Sequence, residues 1–289
     1  LTITTTGAPR RAERIRRFAA NEEPVVTATR LGVLGWPVDH SRSPAMHNAA
    51  LAAVGLNDWD YQLLAVPPDE FVALVASLPA EGYRGASVTI PHKEAASELV
   101  DRLSESAAAI GAVNTLIFEP GGEVVGDNTD APGFIASLPE PPAPGSTALV
   151  LGAGGVAHAV VWALRNCGVE VAIWNRTAQR AEQLAERFGA VATATVGPAE
   201  MLVNCTAAGL EGDPFASLPV SPDQLGDYSV VADLVYHGGP GALLEAAAAA
   251  GATTVDGIEV LVQQGAIAFK QWTGHAAPVE LMRAAALAG

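Results

Sequence analysis

The stretch TALVLGAGGVAHAVVWAL at residues 147–164 restricts this chain to very few folds. A short apolar run at residues 148–151 reads as a fully buried parallel strand. It breaks into glycines and is followed by an alanine-rich segment long enough for a helix. Gly152, Gly154 and Ala157 fit the spacing G-x-G-x-x-G/A. The first glycine permits a tight turn, the second lets backbone approach a pyrophosphate, and the alanine lets helix and strand pack closely. The new helix offers unpaired N–H groups and the positive end of its dipole to phosphate. Such a turn belongs to a Rossmann-like domain.

The following strand, predicted at residues 169–174, indicates which dinucleotide is bound. A cofactor with a free 2′-hydroxyl calls for Asp or Glu at its end, whereas this chain has Asn175, Arg176 and Thr177, with Arg180 one helical turn onward. Two guanidiniums and no carboxylate suit a 2′-phosphate, because Arg pairs bidentately with phosphate oxygens. A competing reading makes them solvated arginines at a helix start. It is weakened by the scarcity of cations, 16 Lys and Arg against 31 Asp and Glu. The expected cofactor is NADP(H).

That charge balance, a formal −15, argues against nucleic acid and anionic membrane surfaces as partners. At 289 residues and 49% hydrophobic content the chain can build one large core or two ordinary ones. Cys167 and Cys205 have no metal or disulfide spacing, which points to a reducing compartment. No membrane span is expected, and residues 1–29 lack the apolar core of a signal peptide. The expectation is a cytoplasmic protein whose first 29 residues, with five arginines at positions 10, 11, 14, 16 and 17, form an arm.

Ahead of the glycine turn, strands are predicted at residues 31–36, 60–66 and 86–90, with helices at 43–55 and 68–77. This alternation describes a parallel-type sheet with crossover helices. Functional groups in such folds gather at the carboxyl ends of the strands. Ser41 and Ser43 follow the first strand. Ser43 before Pro44 reads equally as a helix N-cap and as part of a site for a small carboxylate. Lys93 follows the third strand at a helix start, where the dipole disfavours a cation unless something else holds it. Asn114 stands before a strand that leads to a Pro-Gly-Gly hairpin at 120–122. Asp130 follows in the run Gly126-Asp127-Asn128-Thr129-Asp130, where it reads as a functional carboxylate or as an N-cap. No ligand spacing supports a metal. Beyond the nucleotide strands, a long helix at 257–272 carries Gln263 and Gln264 in an apolar setting, where an amide needs partners at both ends.

Taken together, Ser41-Arg42-Ser43-Pro44-x-Met46-His47-Asn48, Val88-Thr89-Ile90-Pro91-His92-Lys93, Gly111-Ala112-Val113-Asn114-Thr115 and the 126–130 run resemble the shikimate dehydrogenase family. So do the glycine turn, Asn175-Arg176-Thr177, Asn204-Cys205-Thr206 and the Gln264 helix. These motifs occur in the family's order over residues 31–275. The resemblance implies a substrate half at residues 30–130, completed by 258–289, and an NADP-binding half at 131–257. It also implies NADPH-dependent reduction of 3-dehydroshikimate to shikimate in the cleft between them, by a monomer or homodimer. By the same resemblance, Ser41 and Ser43 hold the substrate carboxylate, and Thr89, Asn114, Asp130 and Gln264 bind ring hydroxyls beside Tyr236. Gly152, Ala153, Gly154, Gly155 and Val156 cradle the pyrophosphate, and Asn175, Arg176, Thr177 and Arg180 the adenosine phosphate. Leu234 and Gly257 lie by the nicotinamide, with Glu105 near the cofactor. Lys93 is the general acid and base, paired with Asp130.

Two departures stand out. Glu259 and Val260 replace a more usual glycine and methionine, and His237-Gly238-Gly239-Pro240 follows Tyr236. Both lie near the expected nicotinamide edge. The rival readings are an NAD-preferring quinate/shikimate dehydrogenase, a sensor that keeps the fold without turnover, and a folate one-carbon dehydrogenase. Ser43 and Asn175-Arg176 oppose the first. The retained Lys93 and Asp130 oppose the second, and the serine motif with the 126–130 run opposes the third.

Overall fold

A computed structural model describes residues 28–236 and 241–289. The expected arm therefore lies outside the described residues through position 27, as does the His237–Pro240 departure.

The first half alternates strands and short helices: β1 (Thr29–Gly35), α1 (Ser43–Ala53), β2 (Trp59–Ala65), α2 (Phe71–Ser77), β3 (Tyr83–Val88) and α3 (Lys93–Leu99). It continues with β4 (Arg102–Leu103), α4 (Glu105–Ile110), β5 (Thr115–Phe118) and β6 (Val124–Asp127). The sheet order is β2-β1-β3-β5-β6-β4. β1 runs parallel to both β2 and β3, and β4 parallel to β6. β5 alone is reversed, antiparallel to β3 and β6. The reversal follows from the anticipated hairpin: Gly122 has φ +81°, and Glu119 N–H bonds Glu123 C=O at 2.9 Å. A connection this short can join only antiparallel strands.

α5 (Asp130–Ser137) leads into the second half, which contains β7 (Thr147–Leu151), α6 (Gly155–Asn166), β8 (Glu170–Trp174), α7 (Ala178–Phe188) and β9 (Val191–Ala192). β10 (Met201–Asn204), β11 (Val230–Asp233), α8 (Ala242–Ala249) and β12 (Thr253–Asp256) complete it. This sheet, in the order β12-β11-β10-β7-β8-β9, is parallel throughout. Its strands carry near-continuous apolar runs because helices cover both faces. The order reverses between β7 and β10, and the glycine turn leaves β7 at that switch point, where an open parallel sheet binds its ligand.

The chain then returns. α9 (Gly257–Thr273) and α10 (Val279–Ala288) pack on the first half. Phe269, Trp272 and Met282 share a core cluster with Leu31, Val33, Met46 and Tyr61. Burying such side chains contributes about 1.5–3 kcal/mol each. Trp272 also donates from Nε1 to the Leu116 carbonyl at 2.9 Å, and Gly85 makes room for its ring. Among the described residues no helix is long and apolar enough to cross a membrane.

Candidate active site

The candidate residues stand just past the carboxyl ends of β1, β3, β7, β10 and β11 and in the first turns of α1, α3, α5, α6 and α9. Lys93 is the first residue of α3 and Asp130 the first of α5. Their helix ends explain the pairing: the positive dipole end disfavours the ammonium and favours the carboxylate. Lys93 Nζ donates to Asp130 Oδ2 at 2.5 Å, with side chains only 13% and 9% exposed. A pair this enclosed pays desolvation and is weak support for stability, so a chemical use accounts for it better. Asp130 does not act as a cap. Thr129 holds the cap position of α5, and the Asp130 carboxylate is engaged with Lys93 and Asn114.

Asn114 is the hub behind this pair. Its Nδ2 lies 2.8 Å from Asp130 Oδ1, 2.9 Å from Thr129 Oγ1 and 3.1 Å from Gln264 Oε1. Its Oδ1 accepts from Thr129 N–H at 2.7 Å and from the Thr115 hydroxyl at 3.0 Å. Gln264 Nε2 donates to the Leu261 carbonyl at 2.7 Å. This buried glutamine thus finds partners for both ends of its amide, one of them 150 residues away in sequence.

At the other wall, Ser43 begins α1 but does not cap it: Arg42 is the cap residue, with no side-chain cap bond. Ser43 N–H instead donates to Ser41 Oγ at 3.3 Å. One hydroxyl neighbour, Tyr61, carried no sequence signal beyond its type. Tyr61 donates to Ser87 Oγ at 2.8 Å and its hydroxyl also meets Ser43. Burial raises its phenol pKa, against the pull of those serines. Tyr236 crosses from the second half, and its hydroxyl meets Ser41 and the Arg42 backbone. Burial raises its pKa too, opposed by those bonds. The Thr89 backbone holds the neighbouring turn, with N–H to Leu34 C=O at 2.8 Å and C=O from His92 N–H at 2.9 Å. His92 stacks on Phe71 with centroids 4.3 Å apart and bonds Val66 C=O at 2.8 Å, a local polar residue as expected.

A dinucleotide fits the opposite side. Gly152 has φ +112°, and a Cβ there would come 3.0 Å from the Cys205 carbonyl. Gly154 is the cap residue of α6, with no side chain satisfying the helix N–H groups and open space where a Cβ would stand. A Cβ at Gly155 would lie 3.4 Å from Lys93 Cβ, so the turn, with Ala153 and Val156 in it, directly abuts the lysine. Asn175 Nδ2 bonds Thr177 C=O at 2.9 Å. Arg176 and Arg180 are exposed, and neither pairs with a carboxylate among the described residues. Gly257 starts α9 directly under the Leu234 carbonyl, which a Cβ would meet at 2.8 Å.

Glu105 is exposed in the first turn of α4, with no hydrogen bond or ion pair among the described residues. Glu259 is engaged by α10: Arg283 donates to it from Nε at 2.7 Å and Nη2 at 2.9 Å. Val260 is buried in the core of the second half. Asp127 holds the site from behind. Burial alone would raise its pKa, but bonds from Ser104, Gln271, Asn128 N–H and Ser106 outweigh that and hold it low. Cys205 is buried, which pushes its thiol pKa up, as suits a small hydrophobe. No group of metal-ligating side chains occurs among the described residues.

A glycine turn at the switch point of a parallel sheet, set against a lysine–carboxylate pair on a second sheet, defines the class of two-domain dinucleotide-dependent dehydrogenases. Models for the shikimate dehydrogenase substrate binding domain, for shikimate / quinate 5-dehydrogenase and for the shikimate 5'-dehydrogenase C-terminal domain match residues 33–116, 140–207 and 257–287. The chain belongs to the shikimate dehydrogenase family. It is 43% identical to the shikimate dehydrogenase (NADP(+)) of Methanopyrus kandleri over 275 residues, 89% of this chain and 94% of that one. The crystal structure of the Thermus thermophilus shikimate 5-dehydrogenase in complex with NADP(H) and shikimate superposes with a TM-score of 0.81 at 40% identity, covering 89% of this chain and 98% of that one. A 5-ketofructose reductase of a Gluconobacter strain superposes at 0.80 with 32% identity, covering 90% of this chain and 98% of that one, so the fold also serves another substrate.

Proposed function

We propose that this chain catalyses the reversible NADPH-dependent reduction of 3-dehydroshikimate to shikimate, in the route to chorismate and the aromatic amino acids. The enclosed Lys93–Asp130 pair, abutting Gly155 of the nucleotide turn, carries this reading. NADPH, when bound, supplies the hydride that reduces a ketone carbon. Lys93 gives the proton that the resulting oxygen needs from its ammonium, and takes it back in the oxidation. Asp130 fixes the ammonium and orients it. Ser41 and Ser43 present neutral hydroxyls to the substrate carboxylate, with Tyr236 beside them. Thr89, Asn114, Asp130 and Gln264 hold the ring hydroxyls.

The turn from Gly152 through Ala153, Gly154, Gly155 and Val156 carries the pyrophosphate on the N-terminus of α6. Asn175, Arg176, Thr177 and Arg180 hold the adenosine phosphate, and Leu234 and Gly257 border the nicotinamide. In this reading the substrate half is 30–130 with 258–289, the cofactor half is 131–257, and residues 1–29 form an arm. The partner is a small molecule and the compartment the cytoplasm. Initial rates with shikimate and NADP⁺, repeated with NAD⁺ and with quinate, test it. Turnover confined to shikimate with NADP⁺ is expected; preference for quinate or NAD⁺ assigns the rival activity, and tight shikimate binding without turnover a sensor.

A further inference from the structure

The mechanism above leaves one buried carboxylate without a task. Asp233 ends β11, 3% exposed, and its register partner Asn204 ends β10, fully buried. Asn204 Nδ2 donates to Asp233 Oδ1 at 2.9 Å, and Val235 N–H donates to the same oxygen at 3.1 Å. The amide oxygen of Asn204 accepts from Thr206 N–H at 3.0 Å and from the Thr206 hydroxyl at 2.7 Å. Its carbonyl takes Leu234 N–H at 3.0 Å. The pair therefore fixes the turns by which the chain leaves both strands.

Each turn borders the cleft. The one after β10 presses on Gly152 through the Cys205 carbonyl. The one after β11 lays the Leu234 and Val235 carbonyls over Gly257, where a Cβ would meet them at 2.8 and 2.9 Å. It then delivers Tyr236 across the cleft to Ser41. The bonds from the Asn204 amide and the Val235 N–H therefore anchor the chain three residues before the tyrosine.

We propose that Asp233 and Asn204 are a positioning pair that holds Tyr236 against Ser41 and so sets the affinity for the carboxylate end of the substrate. This rests on the reading of Ser41 and Tyr236 as substrate-binding. The test is a double-mutant cycle with shikimate and NADP⁺, in which kcat and KM are measured for Asp233→Ala, Asp233→Asn, Tyr236→Phe and Asp233→Ala/Tyr236→Phe. Asp233→Ala should raise the shikimate KM about tenfold, the scale of one to two lost hydrogen bonds, with kcat changed far less. Asp233→Asn, whose amide oxygen still accepts both donors, should recover most of that loss. The double variant should be no worse than Tyr236→Phe, because both act through one contact.

KM increases that multiply in the double variant overturn the proposal, as does Asp233→Asn behaving like Asp233→Ala. An unchanged KM in Tyr236→Phe overturns the substrate reading of that tyrosine and this proposal with it. A raised KM in Tyr236→Phe but not in Asp233→Ala overturns this proposal alone. Should Asp233→Ala fail to fold, Asn204→Ala runs the same cycle.

Discussion

Gly133 of α5 lies so close beneath Gln264 of α9 that a Cβ at position 133 would come within 2.6 Å of the glutamine N, Cα and Cβ. The two helices meet backbone to backbone there, and that approach brings Gln264 Oε1 to Asn114 and Thr129. Gly133→Ala should therefore lower stability by about 1–3 kcal/mol, the usual effect of overpacking, and raise the shikimate KM by moving Gln264. Urea unfolding and steady-state kinetics check both, and a stable variant with unaltered KM would show that α9 yields without disturbing the site.

Lys93→Ala removes the proposed proton donor but leaves Asp130 hydrogen-bonded to Asn114. A loss of about 10²–10⁴ in kcat is expected from general acid–base catalysis, with little change in the KM of shikimate. Undiminished turnover would take Lys93 out of the mechanism.

Arg176 and Arg180 stand exposed beside the end of β8. Each charge-assisted bond to a 2′-phosphate is worth about 1.5–3 kcal/mol. Arg176→Ala should weaken NADP⁺ by roughly tenfold or more on that scale, and NAD⁺ hardly at all. Equal effects on the two cofactors would contradict the assignment.

His47 is fully buried, stacked on Tyr61 with centroids 4.3 Å apart, and burial lowers its pKa to about 3 from 6.5. With the folded pKa below the unfolded one, the unfolded chain takes up a proton first as pH falls. The stability owed to this ring is thus intact above pH 6.5 and drains away between there and about pH 3, at up to about 1.4 kcal/mol per pH unit. His92 and His158 are lowered by burial too, so the wild type loses more than one proton's worth. His47→Phe, which keeps the stack, should flatten the acid limb of the unfolding free energy measured across that range. Identical slopes would mean that His47 takes up its proton in the folded protein.

The nucleotide half was readable because its signals are local. A buried strand, a positive-φ glycine and a helix start follow one another within eight residues, and backbone sterics alone limit what they can form. The serine loop, Lys93 and Asp130 were readable as types at strand ends, yet Ser43 and Asp130 each had a capping role open to them. Only the observed bonds closed it: the carboxylate of Asp130 points at Lys93, 37 residues earlier. Glu259 shows the converse. Its carboxylate is held by Arg283, 24 residues onward on a helix whose packing no local pattern announces.

The sequence by itself determined the parallel nucleotide sheet, its glycine turn and the arginines beside it, because hydrophobic period and glycine stereochemistry act between near neighbours. Tertiary structure decided the single reversed strand, the Asn114 hub, the Tyr61–Ser87 bond and the reach of Tyr236 to Ser41. Hydrogen bonds at 3 Å between residues tens to hundreds of positions apart exist only once the halves have packed, and nothing in the order of side chains along the chain prescribes that distance.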